Sequence, residues 1–270
     1  MTQSVRAVWQ YRGLIGNFAG REIKGKYKGS LLGSAWSLLN PLATLAIYSL
    51  VFGFIIRFPT PVAGNGHTTN FTIYLFTALV VWNFFSSVAT SGMGALVMAG
   101  PLLRKIYFPP FAPVIGSAGA VLNQTAIEFG LLFVVYLVVG NISWTFLLVP
   151  FLLLLLAAFS LGIGLILAVM NARFRDVSYI VTVLLSLLFY MSPIIYPISL
   201  VTDLYDKHPW LRLYEFNPVT AFIEAFRSVL WHLEFPGWGW LAYLTVVSIV
   251  VLMAGWTFFQ RKSADVSEEL

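Results

Sequence analysis

The sequence has no cysteine, and charged side chains are scarce among its 270 residues. Without cysteine, the chain cannot form disulfides, use a thiolate nucleophile or bind metal through sulfur. Only 10% of the residues are charged, whereas a soluble domain carries about a quarter. Hydrophobic residues make up 59% of the chain and its mean hydropathy is +0.84, so most of it cannot face water. The composition therefore predicts a polytopic membrane protein.

Groups suited to catalysis or metal binding are also few, with 11 acidic residues and three histidines. Asp203 and Asp206 lie in a segment that also holds two basic residues, which is typical of a solvated loop. Asp176 falls at the expected start of a helix, where the helix dipole favours a carboxylate. The histidines are far apart in the sequence, at His67, His208 and His232. No metal site and no catalytic residue are predicted, so the chain is not expected to be an enzyme.

One stretch resembles a phosphate-binding loop without completing it. In GREIKGKYKGS, Gly20, Gly25 and Lys26 match the pattern G-x-x-x-x-G-K-[ST]. The last position is Tyr27, although the pattern needs a Ser or Thr hydroxyl to bind magnesium. No run of Val and Ile precedes the stretch, so no buried strand leads into it as the pattern requires. ATP and Mg²⁺ are therefore not expected to bind to this chain.

Six apolar runs are long enough to cross a bilayer as helices. A hydrocarbon core of about 30 Å needs roughly 20 apolar residues in helical form. The six predicted spans are 33–56, 71–98, 112–139, 144–170, 177–196 and 238–259. The predicted fold is thus all-α, with six transmembrane helices per chain. The second and third spans have an alternative interpretation, in which they enter the membrane part-way and return.

Lysine and arginine are distributed asymmetrically around these spans. One side holds Arg6, Arg12, Arg21, Lys24, Lys26, Lys28, Arg104, Lys105, Arg173, Arg175, Arg261 and Lys262. The other side holds Arg57, Lys207, Arg212 and Arg227. Because basic residues concentrate in cytoplasmic segments, both termini are predicted to lie in the cytoplasm. The net charge of +5 is explained by this topology, and no nucleic-acid partner is expected.

The segment from residue 5 to residue 27 predicts an amphipathic helix on the cytoplasmic membrane surface. Its apolar residues recur at steps of three and four, at Val8, Tyr11, Ile15 and Phe18. Its carboxyl-terminal end carries what we call the basic cluster, formed by Arg21, Lys24, Lys26 and Lys28. Two interpretations of this cluster remain open. It either fixes the topology alone or also binds the anionic head of a lipid-linked substrate.

Glu128 lies midway along the third predicted span, where an ionisable side chain is costly. Asn123 and Gln124 precede it by about one helical turn and are candidate hydrogen-bond partners. In one interpretation, Glu128 faces a conduit or carries a proton that is coupled to transport. In the other, it holds one helix to another. The second interpretation is favoured, because a single carboxylate without a basic partner in the membrane is a poor proton relay.

Aromatic residues make up 16% of the chain, and some fall deeper than the membrane interface. Tyr48 and Phe52 are four residues apart and therefore share a helix face. Phe189 and Tyr190 lie in the fifth predicted span. Because aromatic faces stack on the C–H faces of sugars, these four are candidate residues for lining a glycan conduit. The alternative is ordinary packing against lipid and helices.

The segment before the last span predicts a helix on the outer side. Asn217 and Pro218 form a helix start of the N-cap and N1 type. An apolar stripe follows at Phe222, Ala225, Phe226 and Val229, with Glu224, Arg227 and Ser228 expected off the stripe. This helix either dips back into the outer leaflet and shapes an exit gate, or lies flat on the surface.

Four stretches, in order along the chain, carry a resemblance to a known family. They are REIKGKYKGSLLGSAWSLLNPL at 21–42, LLRKIYFPP at 102–110, FYMSPIIYP at 189–197 and NPVTAFIEAFRSVL at 217–230. With the six-span layout they cover nearly the whole chain. The chain resembles the permease subunits of bacterial polysaccharide ABC exporters of the ABC-2 class. That group includes the O-antigen, teichoic-acid and mycobacterial galactan exporters.

The resemblance implies a division of the chain and a role for the basic cluster. Residues 1–32 correspond to a cytoplasmic gate helix, 33–259 to the ABC-2 transmembrane domain and 260–270 to a cytoplasmic tail. The basic cluster would meet the diphosphate of the substrate. The outer helices before the last span would be re-entrant.

The resemblance also implies partners in the bacterial cytoplasmic (inner) membrane. Two copies of the chain would form one conduit as a homodimer, and two separate ABC subunits would bind ATP and Mg²⁺. Residues 102–109 are expected to form a short coupling helix bounded by proline. Its candidate residues for contact with the ATPase are Leu103, Arg104, Lys105, Ile106 and Tyr107.

The function expected from this resemblance is ATP-driven export of polyprenyl-diphosphate-linked polysaccharide. Two alternatives share the layout. One is an ABC-2 permease for small hydrophobic compounds, and the other is a proton-coupled flippase that would depend on Glu128. A membrane glycosyltransferase is weaker, for want of an acidic site.

Overall fold

The structure is a computed structural model that describes residues 2–26, 28–106 and 108–269, with side chains described at 6–26, 28–33, 35–106 and 108–263. Every regular element in these residues is helical. The α-helices are α1 (Thr2–Gln10), α2 (Arg12–Lys26), α3 (Trp36–Tyr48), α4 (Phe71–Leu103), α5 (Phe111–Val139), α6 (Val149–Arg173), α7 (Val177–Tyr190), α8 (Ser199–Thr202), α9 (Pro218–Arg227) and α10 (Trp238–Glu269). Two of them continue as π-helix, α3 through Ser49–Ile55 and α9 through Ser228–His232. The all-α prediction is confirmed for the described residues.

Helix α4 is the centre of the bundle, with most of its length buried between α5 and α6. Helix α10 packs along the far side of α6. Glycines allow these close approaches, since a Cβ on Gly92 would meet Gly164 Cα at 3.1 Å. Small residues at helix contacts are the usual means of close packing between membrane helices.

Five helical segments are long and apolar enough to cross a membrane, which confirms a multi-pass membrane protein. They are Trp36–Ile55, Phe71–Leu103, Phe111–Val139, Trp144–Arg173 and Trp238–Ser263. The second and third are single continuous helices, so the alternative that they enter and return is wrong.

The remaining predicted span, 177–196, is not confirmed as a crossing. Helix α7 has 14 residues and ends at Tyr190. At about 1.5 Å per residue it is about 21 Å long, shorter than a hydrocarbon core of about 30 Å. The helix ends where Ser192 and Pro193 follow, because proline disfavours helical conformation in the residue before it. Residues 191–197 form turns and irregular backbone in place of the predicted helix.

The amino-terminal amphipathic helix is present as α1 and α2, which meet at Tyr11. Phe18 of the predicted apolar stripe is buried, and α2 packs along the start of α5. The contact is tight, because a Cβ on Gly116 of α5 would come within 2.6 Å of Phe18 Cβ. Helix α2 is therefore held against the bundle through its apolar face.

Helix α9 begins as predicted. Asn217 caps it by accepting a hydrogen bond from the Val219 N–H at 3.0 Å. The four residues of the predicted stripe are all buried. Arg227 was expected off the stripe, but its side chain is fully buried. This expectation was wrong because the chain supplies Arg227 with internal partners, which periodicity cannot show.

Candidate functional site

A cavity of about 780 Å³ opens between α2, α4 and α5, at the end of the bundle where the amino-terminal helix packs. Helix α4 contributes hydroxyl groups from Ser87, Thr90 and Ser91. Helix α5 contributes the amides of Asn123 and Gln124. Apolar side chains such as Phe18, Met98 and Val121 complete the lining. We call this space the entry cavity.

The structure divides the four residues of the basic cluster. Arg21 and Lys26 line the entry cavity, together with Glu22 from the same helix. Lys24 and Lys28 are exposed and are not among the lining residues. Lys28 follows the end of α2 at Lys26, and Lys24 lies about 200° around the helix from Lys26. Two of the four predicted residues therefore meet at one site.

Charge in the entry cavity favours an anion. Partial desolvation raises the pKa of Glu22 above its ordinary value, although the positive charges of Lys26 and Arg21 oppose the shift. A raised pKa makes this carboxylate easier to neutralise than one with an ordinary pKa. Arg21 and Lys26 are placed to pair with phosphate oxygens, for which both side chains are suited. The hydroxyl of Ser87 and the amide of Asn123 also line the cavity and are suited to donate to the further oxygens of such a group.

Glu128 lies beside the entry cavity and is not among its lining residues. It is only 4% exposed, and Gln124 donates a hydrogen bond to its Oε1 at 3.1 Å. The same amide of Gln124 donates to the backbone carbonyl of Ser37, at the start of α3. Glu128 thus belongs to a polar connection between α5 and α3. This arrangement supports the interpretation that it holds helices together.

The four candidate conduit aromatics form one connected group. The rings of Tyr48 and Phe189 are stacked with centroids 6.1 Å apart. Phe52 lies 6.0 Å from Tyr48, and Tyr190 lies 5.3 Å from Phe189. Phe189 is buried, whereas Tyr190 is 66% exposed. The structure brings these residues together from α3, its π-helical extension and α7, as a continuous aromatic strip.

The segment predicted as a short coupling helix has a different form. Helix α4 continues through Pro101 to Leu103, and residues 104–106 form a turn. The separate helix is therefore a wrong prediction for the described residues, because proline does not end α4. Arg104, Lys105 and Ile106 are exposed at the end of the helix, and Tyr107 lies outside the described residues. The basic pair is displayed as expected, on a turn instead of a helix.

Sequence reasoning missed the polar face of α4. Ser87, Thr90 and Ser91 recur at steps of three and four within an otherwise apolar helix, and all three line the entry cavity. That spacing places them on one face and was a usable signal. Arg227 was missed for a different reason, since two of its partners are the backbone carbonyls of Pro193 and Ile194, which leave no local pattern.

Comparisons with known proteins agree with this architecture. The sequence pattern of the family described as ABC-2 type transporter matches residues 15–231. An O-antigen export system permease protein of Myxococcus xanthus is 31% identical over 273 residues, covering 100% of both chains. A protein of the same description from Klebsiella pneumoniae is 26% identical and covers 89% of this chain and 88% of its own length. A polysialic acid transport protein of Escherichia coli is 26% identical and covers 90% of both.

The family match spans well over half of the chain, and the relative from Myxococcus xanthus aligns along its entire length. The match includes the entry cavity, the aromatic strip and the outer helix α9. The resemblance to polysaccharide export permeases is thereby confirmed. The chain belongs to the ABC-2 type transporter family.

Proposed function

We propose that the chain is the channel-forming membrane subunit of an ATP-driven exporter that moves polyprenyl-diphosphate-linked polysaccharide across the cytoplasmic membrane. The observation that carries the proposal is the entry cavity. Arg21 and Lys26 supply positive charge for a diphosphate, and hydroxyl and amide groups supply hydrogen bonds for the adjacent sugar. The relatives bear names that refer to O-antigen and polysialic acid transport, which supports a glycan as cargo.

The proposed topology has both termini in the cytoplasm and six crossings. Five of the crossings are the long apolar helices. The additional one, fifth in chain order, is formed by α7 together with the irregular residues 191–197, and α9 then re-enters from the outer side. Helices α3 and α7 expose large apolar side chains along their outer faces, such as Ile47, Phe54, Tyr179 and Val183. Pairing of two copies would cover part of these faces and enclose the aromatic strip. The proposed assembly is therefore a homodimer with one conduit.

Energy in this proposal comes from two ATP-binding subunits on the cytoplasmic side, which hold ATP and Mg²⁺. The exposed turn with Arg104 and Lys105 continues directly from α4, the central helix of the bundle. Movement of an ATPase against this turn would pass as a rigid-body shift along α4 to the entry cavity. Export follows because nucleotide binding favours one conformation of the conduit over another.

The paired change Arg21→Gln and Lys26→Gln tests the entry cavity. At about 1 kcal/mol for each charge near the membrane surface, losing both should weaken diphosphate binding by about 2 kcal/mol. That corresponds to roughly 30-fold slower export at limiting substrate. The measurement is transport of lipid-linked glycan into proteoliposomes that contain the complete transporter.

The matched control is Lys24→Gln with Lys28→Gln, which removes the same charge from the same part of the chain. These residues do not line the cavity, so export should fall by much less than with the first pair. Equal losses for the two pairs would mean that the cluster acts only through net charge. Full export by both variants would overturn the role of the entry cavity.

Glu128 provides a second test, because the proton-coupled alternative depends on it. Glu128→Gln keeps an acceptor for the Gln124 amide, so the connection to Ser37 should survive. We expect export to remain within about two-fold of the unchanged protein and to require ATP. If Glu128→Gln stops export, and the unchanged chain still exports when the ATP-binding subunits are absent, the chain is a proton-coupled flippase.

A further inference from the structure

A second cavity lies at the opposite end of the bundle from the entry cavity. It has a volume of about 220 Å³ and lies among α8, α9 and the start of α10. Its polar lining residues are Thr202, Glu215, Thr220, Glu224 and Ser228, and Trp240 provides an aromatic wall. We call it the outer cavity. Its volume is comparable to that of a single sugar ring, and the cavity is open to the surface.

One polar group in this cavity has no partner within the protein. Thr220 is 1% exposed, and its hydroxyl makes no hydrogen bond. Thr220 is the third residue of α9, so no helical carbonyl lies one turn earlier to accept from its hydroxyl, whereas Thr77 inside α4 donates to Ile73 at 3.0 Å. Leaving a buried hydroxyl without a hydrogen-bond partner costs free energy. The Thr220 hydroxyl is therefore suited to a ligand that supplies a hydrogen-bonding group.

The chemistry of the lining indicates an uncharged polar ligand. Arg227 donates to Glu224 at 3.0 Å, so this pair is close to neutral, and Glu215 adds a negative charge. An anionic sugar would be repelled. Two carboxylates and three hydroxyls accept and donate hydrogen bonds to sugar hydroxyls, and an aromatic wall suits the C–H face of the ring. A metal ion fits less well, since the described residues hold no group of three or more potential acidic, cysteine or histidine ligands.

We propose that the outer cavity binds one uncharged sugar ring of the glycan as the chain leaves the conduit. Thr220 and Glu215 make the hydrogen bonds, and Trp240 forms the apolar side of the site. The choice of ligand rests on the proposed export function. Such a subsite holds the emerging end on the outer side between steps of transport and discriminates against acidic glycans.

The test uses the full chain in nanodiscs and two probes. One is a set of short neutral oligosaccharides released by mild acid from envelope polysaccharide of the source cells, and the other is a trimer of sialic acid. Saturation-transfer NMR measures the binding of each. We expect the neutral probe to bind at least ten times more tightly than the acidic one. Thr220→Val should weaken neutral binding about five-fold, the effect of one hydrogen bond. Glu215→Gln should weaken it by a similar factor, because a neutral amide oxygen accepts a hydrogen bond more weakly than a carboxylate.

The control is Glu234→Gln, which removes an exposed carboxylate of the same outer region that does not line the cavity. It should leave binding unchanged. Thr220→Val should not lower the thermal unfolding temperature, because the lost hydroxyl has no partner in the protein. A loss of binding without a loss of stability therefore identifies ligand contact and not misfolding.

The outcomes separate this proposal from the proposed function. If the purified transporter exports lipid-linked glycan but neither probe binds, or binding is unaffected by both variants, the outer subsite is wrong and the export function stands. Tighter binding of the sialic acid trimer also overturns the subsite. If neutral sugar binds and depends on Thr220 while no lipid-linked glycan is exported, the subsite stands and the export function fails.

Discussion

Gly255→Ala adds one methyl group to α10. Of the glycine-to-alanine changes in this helix, it is expected to destabilise the bundle most. A Cβ at this position would lie closer than 3.0 Å to the backbone of Gly162 in α6, including its carbonyl oxygen. A Cβ on Gly162 would in turn meet the Val251 carbonyl oxygen at 2.5 Å. Backbone atoms cannot rotate away as a side chain can, so the two helices must separate.

Added volume in a packed core typically costs 1–3 kcal/mol, and the rigid neighbours here place the expected loss at about 3 kcal/mol. The measurement is the thermal unfolding temperature of the purified chain in detergent. Gly239→Ala is the matched control, because it makes the same change in the same helix where nothing lies within 4 Å of the added carbon. If both variants unfold at the same temperature, α6 and α10 do not pack as described.

Most of the fold could be predicted because membrane burial leaves strong marks in a sequence. Runs of apolar residues indicate the long helices, and the spacing of apolar residues indicates the face of α2 that packs on α5. The ends of helices were predicted less well. Pro101 does not end α4, whereas the segment after α7 loses its helix at Pro193. The outcome depends on tertiary partners for the freed backbone groups, which the sequence alone does not display.

The candidate site shows the same limit. The sequence indicated four basic residues, but only the packing of α2 against α5 shows that Arg21 and Lys26 line the cavity while Lys24 and Lys28 do not. The aromatic strip was predicted in two pairs, and the contact between Tyr48 and Phe189 became visible only in the folded chain, where the end of α3 meets the end of α7. Residue types identified the chemistry, whereas their assembly depended on contacts between distant segments.

Arg227 explains how the irregular segment after α7 is stabilised. Its guanidinium donates to the carbonyls of Pro193 and Ile194, the second at 2.9 Å. It lies over the ring of Tyr74 at 3.8 Å and pairs with Glu224 at 3.0 Å. The planar guanidinium has donors in fixed directions and a flat face for stacking, which an ammonium group does not reproduce. One side chain thus joins α9 and α4 to backbone that has lost its helical hydrogen bonds.

Arg227→Lys should therefore release residues 191–197 while keeping the positive charge. A lysine cannot donate hydrogen bonds to both carbonyls and also stack on Tyr74, and each buried carbonyl left unpaired costs about 1–3 kcal/mol.

Because the chain has no cysteine, a single Ile195→Cys change gives a specific reporter at a site that is 5% exposed. Maleimide labelling of that cysteine should accelerate roughly 100-fold with Arg227→Lys, as expected for local opening made easier by about 3 kcal/mol. Arg212→Lys, an exposed arginine in the segment just before α9, should leave the rate unchanged. Unaltered labelling in the Arg227 variant would show that other contacts hold the segment.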